Sequence, residues 1–375
     1  MGKAPTFKPQ YLKDFDGKTF VLPKKELEVL DLWRKKEIYK TLKARERSYP
    51  EYRFIDGPPY TTGKIHLGTA WNKILKDIII RYKRMNGFRV TDTPGYDTHG
   101  LPIEVQMEKK LKTKNKKDII NKFGMDKFID SCKEFALDNL ATMNEQFRRL
   151  GCEFWNWERP YVTLTEGYVQ GSWWMIKQAH EKGYLYLGNR PLNTCPRCET
   201  ALAKHEYEYK NRIDTSIYVK YKILDKDNEY LVIWTTTPWT LVSNIAVMAN
   251  PEIEYVRVKV NDEIWIIAKT LAAIFIQGEV GVFPEIIETI TGDKLEGLRY
   301  VHPLLDEVPV QQAFFKKNEK VHSVILTTEF VSAQEGTGLV HCAPGHGPED
   351  FQVGHIENGL PAFSPLDDEG RYKEE

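Results

Sequence analysis

The feature that most constrains the fold is a change of hydrophobic period between residues 53 and 91. The apolar run Arg53-Phe54-Ile55 ends at an Asp-Gly-Pro-Pro turn, residues 56–59, and predicts a strand. From Thr69 the apolar residues recur with helical spacing until Gly87, and residues 88–91 predict a second strand. Strand, helix and strand within about 40 residues form a βαβ unit, so we expect a parallel sheet.

The predicted helix has two chemically different faces. One face is apolar and comprises Trp71, Ile74, Leu75, Ile78, Ile79 and Tyr82. The other face is basic and comprises Lys73, Lys76, Arg81, Lys83 and Arg84. A basic helix face can contact RNA, but we expect this one to be a solvated surface.

The remaining segments separate into a helical part and a strand-rich part. Helical spacing predicts helices at about residues 25–42, 125–150 and 168–182. From about residue 211 the pattern changes to short apolar or alternating runs, at 231–234, 255–260, 264–267 and 338–341. The sequence therefore predicts an α/β protein whose second domain is rich in strands.

Composition excludes several classes of protein. The 375 residues contain 53 Lys and Arg against 53 Asp and Glu, so the chain does not coat nucleic acid by bulk charge. No apolar run approaches the ~20 residues of a membrane span. The cysteines are few and scattered, which argues against a disulfide framework and predicts a reducing, cytoplasmic location; they are Cys132, Cys152, Cys195, Cys198 and Cys342.

The turn between the first strand and the helix is the first candidate site. Ligands of parallel sheets bind beyond the carboxyl ends of strands, and a helix N-terminus favours phosphate. Gly63 and Gly68 would let the backbone approach such a ligand, and His66 could donate a hydrogen bond to a phosphoryl oxygen. The alternative is an ordinary glycine-rich turn with one surface histidine.

Two distant segments form the second candidate site. Thr235, Thr236 and Thr237 follow an apolar strand, and a glycine-rich loop carries His341, His346, Glu349 and Asp350. Taken separately, the first segment could be an edge strand with solvent-facing threonines and the second an ordinary Gly/Pro loop.

The pair Cys195 and Cys198 has the spacing of half a zinc site. Structural zinc takes four ligands, and no second pair of this kind occurs in the sequence. His205 is a weak candidate for a third ligand, and a redox-active pair is the competing interpretation.

The motifs together resemble the class I aminoacyl-tRNA synthetases, and in particular the isoleucyl-tRNA synthetases. The run 66–69 (His-Leu-Gly-Thr) resembles the HIGH signature, with Thr69 where that signature usually has histidine. The flanking Asp-Gly-Pro-Pro turn and the run 97–102 (Asp-Thr-His-Gly-Leu-Pro) extend the likeness, which covers roughly residues 25–370. The family joins isoleucine to ATP, with Mg²⁺, and transfers the aminoacyl group to tRNA(Ile).

The resemblance implies roles for single residues in amino-acid activation. His66 and Thr69 would contact the phosphates of ATP. Gly57 and Pro58 would line the isoleucine pocket, and Asp97 would bind the ammonium group, because a carboxylate is the natural partner of a buried cation. Without the resemblance, Asp97 would be interpreted as a residue that caps a turn.

The second candidate site resembles the editing domain of the isoleucine, valine and leucine enzymes. A pocket that fits isoleucine cannot exclude valine, since one methylene is worth only ~1–3 kcal/mol, a general value for which the isoleucine enzymes are themselves the standard example. Asp350 would bind the ammonium group of the mischarged ester and His341 would shape the pocket. The hydroxyl and amide groups would contact the terminal adenosine or the attacking water; they belong to Thr235, Thr236, Thr237 and Asn244.

These implications give a domain plan. We expect a helical lead-in at 1–50, the first half of a Rossmann-like catalytic domain at 51–190, a zinc-knuckle-like linker at 191–210 and an editing domain at 211–375. No segment resembling Lys-Met-Ser-Lys-Ser is present, so we expect an incomplete parallel-sheet half-domain in an N-terminal piece of a longer enzyme. Zinc is expected, if at all, in that longer protein, with its remaining ligands beyond Glu375.

Three alternatives stay open at this point. The chain could come from a valine enzyme, or from another nucleotidyltransferase with a HIGH-like turn, such as a pantothenate-synthetase-like enzyme. It could also be a fragment that only binds or edits tRNA. We expect a monomer whose partners are isoleucine, ATP and tRNA(Ile), without DNA or membrane partners.

Overall fold

The computed structural model describes residues 22–373, and they form two compact units that meet in sequence between Tyr186 and Leu187. The first 21 residues of the predicted lead-in lie outside the described part of the chain, as do residues 374 and 375. The finer domain boundaries given above stay predictions.

Helices dominate the first unit. Its helices are α1 (Leu22–Lys35), α2 (Ile38–Arg45), α3 (Leu67–Met85), α4 (Leu101–Leu111), α5 (Lys116–Asp118), α6 (Met125–Arg149) and α7 (Glu166–Glu181). Its strands are the two-residue segments β1 (Glu51–Tyr52), β2 (Arg89–Val90), β3 (Gly95–Tyr96) and β4 (Tyr161–Val162). The helices expected near 125–150 and 168–182 are therefore confirmed.

The βαβ prediction is confirmed in its order and direction. Strands β1 and β2 pair in parallel on either side of α3, and β3 pairs in parallel with β4. The first strand lies two residues earlier than predicted, and residues 53–59 continue without regular pairing. The unit therefore contains two short parallel strand pairs.

The prediction for the two faces of α3 is wrong. Lys73 and Arg84 are buried, whereas Trp71 is 70% and Ile78 56% exposed. The exposed face comprises Leu67, Trp71, Ile74, Leu75, Ile78, Ile79, Tyr82 and Met85. Ile74 also borders a mostly apolar hollow of about 570 Å³ between α1 and α6.

Acidic partners, one from another segment and one on α3 itself, explain this inversion. Lys73 Nζ contacts the Asp56 carboxylate, and Lys76 Nζ lies 2.7 Å from the other oxygen of the same group. One turn further, Asp77 accepts hydrogen bonds from Arg81 Nε at 2.5 Å and from Trp155 Nε1 at 2.9 Å. Asp56 lies outside the helix, so helical spacing alone could not reveal that Lys73 is buried.

Arg84 is a further basic residue of α3 whose charge is compensated by acidic partners in this way. Its Nε lies 3.1 Å from Glu46 Oε2, and its Nη1 donates to the carbonyl of Phe154 at 2.7 Å. Its Nη2 contacts the buried Asp92 carboxylate. Since a buried charge needs both a counter-ion and hydrogen bonds, the arginine is fully compensated.

The single helix expected at 25–42 is interrupted. Glu37 takes a left-handed conformation with φ 46°, and the chain turns there between α1 and α2. A non-glycine residue in this region breaks the helical hydrogen-bond series, so two short helices replace one long helix.

Strands dominate the second unit, as predicted. The strands are β5 (Thr194–Cys195), β6 (Thr200–Ala201), β7 (Ile217–Lys222), β8 (Glu229–Thr235), β9 (Ala246–Ala249), β10 (Glu254–Val260), β11 (Glu263–Ala268), β12 (Glu285–Thr291), β13 (Ser323–Leu326) and β14 (Val340–Cys342). Its helices are α8 (Lys269–Phe275), α9 (Pro309–Lys317) and α10 (Pro348–Asp350).

Two sheets enclose the main core of this unit. The larger sheet has the order β12-β10-β11-β8-β7, and the smaller one has the order β13-β9-β14. Strands β8 and β11 pair in parallel, as do β9 and β13, while the other pairs are antiparallel. Side chains of both sheets pack together, including Leu231, Ile233, Val247, Ile266 and Val324.

Neutral histidines are part of the interior of the second unit. His302 Nδ1 accepts a hydrogen bond from the amide of Leu304 at 3.0 Å, so its proton lies on Nε2, 3.2 Å from the carbonyl of Leu241. His322 Nε2 lies 3.0 Å from Gln311 Oε1. Burial lowers the pKa of His302 to about 4 and that of His322 to about 3.

Within residues 22–373, no helix has both the length and the apolar character that crossing a membrane requires.

Replacing Lys73 by Met should destabilise the first unit. The variant keeps the volume of the side chain but removes the closest cation from Asp56, and breaking a buried ion pair in this way costs about 3 kcal/mol. Denaturant titration would measure the loss. Lys35→Met on α1, where the lysine side chain is 73% exposed, is the matched control and should change stability little. Equal stabilities for the two variants would contradict the prediction.

The second unit should lose stability in mild acid. The unfolded chain protonates His302 and His322 near pH ~6.5, whereas the folded chain resists protonation until a lower pH, so the free energy of unfolding falls as pH drops below ~6.5. Asp350, whose pKa is raised to about 6, acts in the opposite direction, whereas His341 and His346, whose pKa values burial lowers, add to the effect of His302 and His322. Denaturation midpoints measured across this pH range would test the effect. The midpoint of the His302→Gln variant should depend less on pH than that of the wild type. A constant midpoint would refute it.

Candidate functional sites

The HIGH-like turn places His66 at the start of α3. His66 Nδ1 accepts from the amides of Gly68 and Thr69, at 3.1 and 3.4 Å, and thereby caps the helix. Because Nδ1 carries a lone pair in this arrangement, the proton of the neutral ring lies on Nε2. The exposed imidazole therefore keeps one N–H donor for an anion, at the positive end of the helix dipole.

Two adjoining hollows flank this turn. One has a volume of about 290 Å³ and is lined by Gly57, Pro58, Pro59, His66, Gly68, Thr69, Asn72, Lys73 and Phe147. The other, of about 300 Å³, lies on the Tyr60–Ile65 side and shares Pro59, His66 and Thr69 with the first. The structure thus brings Gly57, Pro58, His66 and Thr69 together.

Asp97 lies apart from these hollows. Its backbone pairs with Tyr60, and its Oδ1 accepts from the amide of His99 at 3.2 Å. Within the described part of the chain, Asp97 lines neither hollow, and its side chain caps a turn. The Asp97 carboxylate is half-buried. Tyr60, the backbone partner of Asp97, lines the second hollow.

Two lysines of α3, Lys73 and Lys76, bind the turn that lines the first hollow. Asp56 is fully buried and also accepts from the amide of Gly95 at 3.0 Å. Lys76 Nζ donates to the carbonyl of Gly57 at 3.0 Å. The Lys73 ammonium lies 4.4 Å from the ring centre of Trp155 and 5.0 Å from that of Phe147. The turn at 56–59 is therefore attached to the helix that carries His66.

In the second unit, the threonine segment and the glycine-rich loop meet. His341 Nε2 lies 2.9 Å from Thr240 Oγ1, although the two residues are 101 positions apart. Asn244 Nδ2 lies 3.5 Å from His341 Nδ1. His346 Nε2 lies 2.8 Å from the Ser243 hydroxyl. Three contacts thus join the glycine-rich loop to the residues that follow the predicted threonines, namely Thr240, Ser243 and Asn244.

The threonines differ in their surroundings. Thr235 is buried and its hydroxyl accepts from the amide of Thr237 at 3.1 Å, while Thr236 and Thr237 are exposed. The Thr237 hydroxyl lies 3.4 Å from that of Thr240. Pro238 begins a short helical turn, Pro238–Ser243, and the strand therefore ends at Thr235.

Asp350 is half-buried at the start of a helical turn that follows the glycine-rich loop. Burial raises the pKa of its carboxyl to about 6, and a hydrogen bond from the Ala343 amide partly offsets that effect. A Cβ on Gly347 would lie 2.5 Å from Asp350 Oδ2, so glycine is required for this close approach. A bound ammonium group would stabilise the charged form of this carboxylate.

Sequence reasoning missed Ser243, Thr240 and Tyr300 in this network. Tyr300 donates to Asn244 Oδ1 at 2.5 Å from a fully buried position. Thr240 and Ser243 could have been found as hydroxyls one helical turn beyond the predicted threonines. Tyr300 gave no signal, because it lies in a segment without any motif.

The two cysteines do not form a complete metal site. Cys195 and Cys198 flank the turn between β5 and β6, and Arg197 Nη1 lies 3.5 Å from Cys198 Sγ. Among residues 22–373, no cluster of three or more potential ligands is present, so His205 does not complete the pair. Two thiols supply half of a structural zinc site, and these residues alone do not fit the ion.

Comparisons with known proteins identify the relatives of this chain. A family model described as "tRNA synthetases class I (I, L, M and V)" matches residues 28–328. A curated protein named isoleucine–tRNA ligase from Pyrococcus abyssi is 54% identical over 94% of this chain and 33% of its own length. The isoleucine–tRNA ligase from Methanocaldococcus jannaschii is 48% identical over 91% of this chain and 34% of its own.

The chain thus spans about a third of the length of these relatives. A solved structure titled "The crystal structure of GlLeuRS-CP1" matches 37% of this chain and 58% of its own length, at 20% identity and with a TM-score of 0.30. The family match covers most of the chain and includes the HIGH-like turn and the threonine segment. The chain therefore belongs to the class I tRNA synthetase family that comprises the isoleucine, leucine, methionine and valine enzymes.

Proposed function

We propose that this chain is the part of an isoleucine–tRNA ligase that contains half of the activation site and the editing site. The observation that carries the proposal is the contact between the threonine segment and the loop at 341–350, which forms one polar network from segments 101 positions apart. The relatives at about half identity are named isoleucine–tRNA ligases, which favours isoleucine over valine as the substrate.

In the activation site, the HIGH-like turn would bind ATP. His66 presents its Nε2–H, and the positive end of the α3 dipole favours the negatively charged phosphates. Gly57 and Pro58 would contact the isoleucine side chain, and Asp97 would bind its ammonium group. Mg²⁺ would accompany ATP as part of the substrate, and catalysis would consist of positioning and charge stabilisation at the α-phosphate.

The short parallel pairs of the first unit support a half-built Rossmann-like sheet. Both pairs, β1 with β2 and β3 with β4, run in parallel, and the HIGH-like turn lies beyond β1. We infer that a second half of such a domain, supplied by a longer chain, would add the basic loop that this sequence lacks.

In the editing site, Asp350 would bind the ammonium group of valine esterified to tRNA. Thr236 and Thr237 are exposed, so their hydroxyls would be available to the terminal adenosine or to water. Asn244 and His341 line the inner side of the same network. The site would hydrolyse Val-tRNA(Ile) and reject the larger isoleucine.

Replacing Asp350 by Asn should reduce hydrolysis of Val-tRNA(Ile) by roughly 10–100-fold, since a charge-assisted hydrogen bond contributes ~1.5–3 kcal/mol. The variant keeps the size of the side chain, so the approach to Gly347 is preserved. Glu349→Gln changes an exposed acid on the same turn and serves as the matched control. Rates of deacylation of purified Val-tRNA(Ile) would be compared, and equal losses in both variants would contradict the role of Asp350.

The 375-residue chain alone should hydrolyse Val-tRNA(Ile) but should not catalyse isoleucine-dependent exchange of pyrophosphate into ATP. The editing network lies within one unit, whereas the activation site lacks the basic loop that would stabilise pyrophosphate. Radiolabel exchange and deacylation assays on the same preparation would test both halves. Exchange activity that depends on His66 would overturn the assignment of an incomplete activation site.

A further inference from the structure

The interior of the editing network contains a chain of hydrogen bonds whose proton positions follow from one another. It runs from Tyr300 through Asn244 and His341 to Thr240. Tyr300 and Asn244 are completely buried, and His341 is 7% exposed. Buried polar groups of this kind must satisfy one another, because water does not reach them.

The donor and acceptor roles in this chain of hydrogen bonds can be assigned from the Thr240 hydroxyl. Its oxygen lies 2.8 Å from the carbonyl of Thr237, and a carbonyl can only accept, so the hydroxyl proton points there. Toward His341 Nε2, 2.9 Å away, the Thr240 oxygen can then only accept. His341 must therefore carry a proton on Nε2.

The same reasoning fixes the other end. Asn244 Nδ2 donates to the carbonyl of Ala246 at 2.8 Å, and the Tyr300 hydroxyl donates to Asn244 Oδ1 at 2.5 Å. The amide of Asn244 is thereby locked with its NH₂ group toward His341. Its second N–H faces His341 Nδ1 at 3.5 Å, and this nitrogen must be an unprotonated acceptor.

We infer that Tyr300 is a positioning residue of the editing site, which acts through Asn244 to hold His341 as the neutral tautomer protonated on Nε2. Both ring nitrogens of His341 are then engaged within the protein. The imidazole donates to the Thr240 hydroxyl, and it is not the general base that takes a proton from water. This inference rests on the proposed editing function.

The electrostatic surroundings agree with a neutral ring. Burial lowers the pKa of His341 to about 4, and the nearby His346 and His302 contribute to that lowering. These two histidines are the titratable groups that act on it, and the pKa of each is itself lowered by burial. Asp350 is the acid of the neighbouring loop segment, and it contacts Ala343 rather than the imidazole.

The chain offers a matched control for the hydroxyl of Tyr300. Tyr221 is also fully buried, and its ring stacks on that of Tyr300 with centroids 4.9 Å apart. Among the described residues, the Tyr221 hydroxyl has no hydrogen-bond partner. Tyr221→Phe and Tyr300→Phe thus remove the same atom from adjacent rings. Only the Tyr300 hydroxyl belongs to the chain of hydrogen bonds that leads to His341.

The test is NMR of the 375-residue chain with ¹⁵N-labelled histidine, in which the ring signals of His341 are identified by their loss in His341→Gln. The inference expects protonated Nε2 and unprotonated Nδ1 between about pH 5 and 8. In Tyr300→Phe, protonated Nδ1 should appear, and hydrolysis of Val-tRNA(Ile) should fall about tenfold, equivalent to ~1.4 kcal/mol. Tyr221→Phe should keep the wild-type spectrum and rate.

The inference fails if wild-type His341 carries its proton on Nδ1, a result that needs no variant to fold. It also fails if Tyr300→Phe leaves the tautomer unchanged, or if Tyr221→Phe changes the spectrum and rate as much as Tyr300→Phe. If the expected tautomers are found while no protein hydrolyses Val-tRNA(Ile), the proton arrangement stands and the proposed editing function fails. The two hypotheses are therefore tested separately.

Discussion

The first unit depends on one buried carboxylate. Asp56 follows β1, is inaccessible to solvent, and contacts two lysines of α3 and the amide of Gly95. A carboxylate in such a place would be strongly unfavourable without these cations, and the lysines would be equally unfavourable without it. The mutual dependence fixes the Asp-Gly-Pro-Pro turn to the helix whose first residues form the candidate phosphate site.

The second unit uses neutral groups for the same purpose. Gln311 Nε2 donates to the carbonyls of Val242 and Asn244, at 2.9 and 3.1 Å, and His302 contacts the carbonyl of Leu241. These donors satisfy the backbone of the turn that follows the threonine strand, which no regular secondary structure could satisfy. One site is thus stabilised by buried charge and the other by buried, uncharged imidazole and amide groups.

Sequence alone predicted the strand–helix–strand order, the long helices and the strand-rich second half, because hydrophobic period and glycine stops are local signals. The motifs also predicted that His66 and Thr69 share one site, and that the threonine segment and the loop of His341 share another. It failed on α3, where the apolar residues Trp71 and Ile78 are exposed and Lys73 is buried. The burial of that lysine depends on Asp56, 17 residues earlier, and on aromatic rings from a distant segment, which no periodic pattern encodes.

Exposed apolar residues on α3 have a consequence for the behaviour of the chain in solution. Eight large apolar side chains face outward along a helix of 19 residues, beside the apolar hollow that Ile74 borders. A contiguous patch of this kind on a chain of zero net charge promotes self-association, since neither electrostatic repulsion nor a polar surface opposes contact. We therefore expect self-association through this helix face to limit the concentration at which the chain stays in solution.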